Sequence, residues 1–147
     1  MQVPSNIREV IKLSYSITSY YMMFAYSELS SFAPEFYIPR KDIETNRMFE
    51  ECINLISLPN NFKLPSNFAE SMFRGCINLT SDISNIWPDE WTSDNPNLLY
   101  MFYNCSKVTG TVPANKLWNS GKIRDYNDCF YNCTSLTNYN EIPDDWK

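Results

Sequence analysis

Apolar and polar positions follow one order that returns along the chain. Its clearest copy is Met48-Phe49-Glu50-Glu51-Cys52-Ile53-Asn54-Leu55, and the same order recurs at 72–79, 101–108 and 129–136. An earlier copy, Met23-Phe24-Ala25-Tyr26-Ser27-Glu28-Leu29, is one residue shorter and has no cysteine. Phenylalanines at 24, 49, 73, 102 and 130 set steps of 25, 24, 29 and 28 residues. A phrase returning at such a steady period marks a repeat architecture, in which each unit buries its apolar side against its neighbours.

Within the phrase, Met48, Cys52 and Leu55 stand at i, i+4 and i+7, the spacing of one helical face. Phe49 widens that stripe, and Glu50 and Glu51 are expected to face solvent. The segment after the leucine, such as Leu55-Ile56-Ser57-Leu58, reads as a short strand closed by proline, which cannot donate to a ladder. An aromatic residue follows each proline: Pro59 with Phe62, Pro88 with Trp91, Pro143 with Trp146. The spacing is compressed at Pro34 and Phe36 and stretched at Pro113 and Trp118.

The pattern therefore predicts an α/β solenoid: a leucine-rich-repeat-like right-handed coil of about five units of 24–29 residues. Each unit would hold a short helix, a short parallel strand and a Pro-aromatic corner. Residues 1–147 read as one repeat domain, with 1–20 as an N-terminal cap and units near 21–45, 46–69, 70–98, 99–126 and 127–147. The expected core columns are Phe49, Phe73, Phe102 and Phe130; Cys52, Cys76, Cys105 and Cys133; and Leu55, Leu79, Val108 and Leu136. One unit offers about six buried side chains worth roughly 1.5–3 kcal/mol each. Ordering about 25 residues costs on the order of 1.5 kcal/mol each, so a single unit cannot fold alone.

Composition narrows the chemistry. The chain has no histidine, which removes the commonest general base and zinc ligand. Its five cysteines, four of them in one column, read as core thiols, with no repeated CxxC pair to hold a metal. Cys129, four residues before Cys133, reads as core filler ahead of a reactive thiol. No catalytic residue, metal or cofactor is expected. A net charge of -5 disfavours nucleic acid, and no apolar run is long enough for a membrane-spanning helix. The first nine residues do not form a secretory signal. Asp89-Glu90 and Asp144-Asp145 precede tryptophans, as carboxylates do at some sugar sites. They occupy the place of Asn60-Asn61, so turn position accounts for them. The N-x-S/T triplets at Asn78, Asn104 and Asn132 overlap the phrase and read as its by-products.

The copies at 48–55, 72–79, 101–108 and 129–136 resemble the BspA-like leucine-rich repeat family, in its variant with Met-Phe-x-x-Cys-x-x-Leu repeats. Phe130-Tyr131-Asn132-Cys133-Thr134-Ser135-Leu136-Thr137 is the most typical stretch, and the resemblance covers about residues 20–146. It implies a surface protein that attaches to other proteins or to cells, or a phage structural protein, with no catalytic residues to carry over.

A non-catalytic protein-binding or adhesion module is therefore the expected function, placed at an extracellular surface or in a virion. Candidate partner-binding residues are Tyr103, Asn104, Tyr131, Asn132, Asn138, Tyr139 and Trp146. The chain stops just after a Pro-aromatic corner, so the last coil is expected to lack a cap and to bind a protein partner or a second copy. A virion component assembling through that end is the alternative. A host surface receptor or a glycan is a further possible ligand class.

Overall fold

A computed structural model of the protein describes residues 19–32, 36–39 and 42–147. Most of the expected N-terminal cap, and Pro34 of the first corner, lie outside these residues. The described chain forms five tiers, at 19–27, 44–52, 68–76, 97–105 and 125–133, laid parallel. One line of single bridges joins them: Ser19 to Glu44, Glu44 to Phe68, Phe68 to Asn97, and Asn97 to Asp125.

The expected unit of helix plus strand does not form. Among the described residues there is no α-helix and no strand longer than a single bridge. The helical content is two three-residue 3-10 turns, Tyr139–Glu141 and Asp144–Trp146. Where strands were expected after the leucines, the one bridge is Asp82 to Thr109. The α/β solenoid is thus replaced by a stack of turns.

Backbone geometry explains the difference. In the second tier Met48, Glu50 and Cys52 donate their amides back to Thr45, Arg47 and Phe49, closing three overlapping β-turns. The intervening amides of Thr45, Arg47, Phe49 and Glu51 donate to the third tier, at Phe68, Glu70, Met72 and Arg74. Arg47 and Glu51 are left-handed, at φ 57 and 56°. Each is the third residue of its turn, the position that makes a turn type II. The same two places are left-handed in every tier: Met22 and Tyr26, Ser71 and Gly75, Tyr100 and Asn104, Asp128 and Asn132. A left-handed residue every four positions ends any helix, yet in sequence it copies the i, i+4 spacing of a helical face. Each non-glycine residue there costs about 1–2 kcal/mol. The interior compensates: Met48, Phe49 and Glu50 are buried in succession, which neither a helix nor a strand of one buried face allows.

The tiers meet through an aromatic column. Rings of Phe24, Phe49, Phe73, Phe102 and Phe130 lie 5.2–6.1 Å apart and nearly parallel. The cysteines do more than fill space. The thiols of Cys52, Cys76, Cys105 and Cys133 donate to the carbonyls of Phe24, Phe49, Phe73 and Phe102 at 3.0–3.1 Å. Ser27 takes the cysteine place in the first tier, 3.6 Å from Cys52. At the corners, Phe62 packs edge-on against Phe73, but the next unit uses Trp87, not Trp91, against Phe102 and Phe130. Trp91 is half-buried and donates its indole N–H to the Lys116 carbonyl.

Gly75 is left-handed, at φ 74°, and an added Cβ there would collide with the Glu51 carboxylate. Gly75→Ala is expected to cost about 1–2 kcal/mol, read as a lower urea midpoint. An unchanged midpoint would mean that the carboxylate moves aside freely.

Candidate binding face

Equivalent positions line up across tiers, and their exposure varies along each line: Glu50, Ser71 and Gly75 are buried, while Tyr131 and Asn132 are exposed. One line runs Ala25, Glu50, Arg74, Tyr103, Tyr131, each the residue after a column phenylalanine. Beside it run the two left-handed lines, Arg47–Ser71–Tyr100–Asp128 and Glu51–Gly75–Asn104–Asn132. The phrase thus places aromatic, amide and charged side chains at fixed intervals on a turn-built surface.

Glu50 departs from the sequence expectation. It is 2% exposed, not turned to solvent. Its carboxylate lies 3.8 Å from Arg47 and 3.6 Å from Arg74, and Arg47 also reaches Glu70 at 3.9 Å. These are ion pairs by distance without a hydrogen bond at Glu50 Oε2 among the described groups. Both guanidiniums are more than a third exposed, so solvent screens the pairs and each contributes under about 1 kcal/mol.

Arg74 then covers two rings, 5.8 Å from the centre of Tyr100 and 5.5 Å from that of Tyr103. Tyr100 and Tyr103 meet edge to face at 5.8 Å. Tyr131 stacks on Tyr103 at 4.6 Å and 15° and remains 44% exposed. Beside this pair the Asn132 amide donates to Asn104 Oδ1 at 3.4 Å. The face offers stacking surface, phenolic hydroxyls and side-chain amides, a set suited to protein contacts.

Of the seven candidate partner-binding residues, the structure brings together Tyr103, Asn104, Tyr131 and Asn132. The other three serve the fold. Asn138 is buried and clamps Val112, accepting from its N–H and donating to its carbonyl, each at 3.0 Å. Trp146 is buried against Phe130, Tyr126 and Trp118. Tyr139 is half-buried under the Lys147 ammonium, which lies 5.5 Å from its ring centre. Arg74 and Tyr100 were not anticipated from sequence. Following the outward positions tier by tier, as was done for the inward ones, would have found them.

The expected open C-terminal end is also corrected. The fifth-tier amides of Asp128 and Phe130 donate to the carbonyls of Asp145 and Trp146, at 3.2 and 2.7 Å. The Trp146 ring continues the phenylalanine column, 6.2 Å from Phe130 and nearly parallel. Beside it the Tyr126 phenol is held above its usual range by the Asp145 carboxylate, first through hydrogen bonding and then through its charge.

All five thiols are buried and unpaired, Cys129 included. Burial raises each above the ordinary thiol range, so none is set up as a nucleophile. Asp89, Glu90, Asp144 and Asp145 are exposed. No helix among the described residues is long and apolar enough to cross a membrane.

Comparison with curated proteins and with solved structures gives no match. A family model does match, over residues 20–146, which runs from the first tier into the C-terminal segment. By that match the chain belongs to the family described as Mycoplasma protein of unknown function, DUF285.

Proposed function

We propose that this protein is a non-catalytic protein-binding module whose partner docks on the face formed by Arg74, Tyr100, Tyr103 and Tyr131, with Asn104 and Asn132 at its edge. The observation that carries this reading is the Tyr103–Tyr131 stack, 4.6 Å between ring centres, with the outer ring left 44% exposed. A rigid aromatic already held by its neighbour gives contact area at little further entropic cost. A place at an extracellular surface, as in adhesion, fits the same reading. Assembly of a particle through the C-terminal end has less support, because Trp146 already occupies that end.

The test compares wild type with the pair Tyr103→Ala and Tyr131→Ala, and with Glu90→Ala, an exposed residue away from the face. Proteins on the surface of the producing cells and of neighbouring cells would be captured and quantified. The double variant is expected to lose its specific partner at least about tenfold, since central aromatics often carry 2 kcal/mol or more. Glu90→Ala should keep it. Equal recovery by all three forms would sink the assignment of this face.

A further inference from the structure

The two ends of the tier stack are complementary. Every tier sends alternate amides to the tier that follows it: Phe24 to Met48, Phe49 to Met72, Phe73 to Met101, and Phe102 to Cys129. In the fifth tier the corresponding amide, that of Phe130, meets the Trp146 carbonyl instead, and Asp128 meets Asp145. Residues 143–147 thus fill the acceptor place of a further tier, and the Trp146 ring fills the place of its phenylalanine.

At the opposite end the register offers acceptors. The carbonyls of Tyr21, Met23 and Ala25 correspond to those of Asn46, Met48 and Glu50, which take amides from the tier before. Among the described residues no backbone amide reaches the three first-tier carbonyls. Met23 is 38% exposed, whereas Met48, Met72 and Met101 in its column are fully buried.

We infer that residues 143–147 are a stop that hides a self-association surface, and that the partner of this surface is the first tier of a second copy of this chain. A copy docked there would repeat the internal junction. Phe24 would stack on Phe130, Ser27 would meet Cys133, Met22 would face Asp128 and Ala25 would face Tyr131, with no like charges opposed. The contact joins a donor edge to an acceptor edge, so it is heterologous and does not close: copies would add without limit. An uncovered edge of this kind templates association, and filling it is one way proteins prevent that.

The test is sedimentation of the full chain over a hundredfold concentration range. Wild type should keep one mass. Trp146→Ala, and the milder Trp146→Leu, should show a weight-average mass that climbs without plateau, at least about threefold across the range. Adding Met23→Lys to either, which places a charge on the accepting edge, should restore a single mass. The inference falls if wild type itself grows without limit. It falls if either Trp146 variant keeps its folded circular dichroism and a single mass, or if growth persists with Met23→Lys. It also falls if both Trp146 variants fail to fold where wild type folds, since the segment would then be part of the fold and not a stop.

Discussion

Phe102→Ala should lower the free energy of unfolding by about 3–5 kcal/mol, the range for truncating a fully buried aromatic. Phe102 has no exposed surface. It lies between Phe73 at 5.2 Å and Phe130 at 6.1 Å, and Trp87 meets it edge-on at 6.2 Å. Each aromatic pair is worth about 0.5–1.5 kcal/mol beyond area burial. Its carbonyl also accepts from Cys105 N–H and the Cys133 thiol, so a shift of the backbone there would disturb two further groups. Little can collapse into the space, because the neighbouring rings are held in their own tiers. Urea denaturation of wild type and variant at one pH measures the difference. A loss near zero would remove the ring column as the main source of cohesion between tiers.

Above about pH 9 the protein is expected to lose stability steeply. Burial holds the thiols of Cys76, Cys105 and Cys129 well above the ordinary range, and those of Cys52 and Cys133 above it as well. In the unfolded chain a thiol releases its proton near pH 8.5. Below that value both states hold the protons and the contribution is whole. Above it the unfolded state binds fewer, so stability falls as pH rises, until the folded thiols too would ionise. Each thiol that stays protonated in the folded state contributes a slope of about 1.4 kcal/mol per pH unit, so the five together give at most about 7 kcal/mol per unit. A net stability of about 5–15 kcal/mol would then vanish within about two units. Urea midpoints at pH 8, 9 and 10 give the slope, and Cys76→Ala should reduce it by about a fifth. Constant stability to pH 10.5 would contradict the burial of the column.

The inward columns were legible because identity itself recurs. Met, Phe, Cys and Leu return at one spacing, and Phe49, Cys52, Leu55 and their counterparts lie in the interior. The local conformation was not legible. Gly75, Asn104, Asp128 and Asn132 suit left-handed geometry, but Arg47, Glu51, Tyr100 and Met22 adopt it too and give no signal. Their four-residue spacing looks helical in sequence. The choice between helix and stacked turns is made between tiers, where alternate amides find carbonyls about 25 residues away. No window of a dozen residues contains that information. The corner tryptophan was misplaced for a similar reason: Trp87 and Trp91 flank Pro88 and only the neighbouring rings decide which turns inward. On the binding face, Tyr103 and Tyr131 could be picked out as repeated tyrosines, while Arg74 belongs to their line only once the tiers are superposed.

Since each junction between tiers uses the same alternation of donors and acceptors, the backbone pairing does not distinguish one tier from another. A gene could therefore gain or lose one period by slipped copying, and the product would still find every neighbour in register. In such a lineage the number of repeats would drift as easily as a surface side chain does. The extent of the Tyr and Asn face would become a heritable length, open to selection without redesign of the interior.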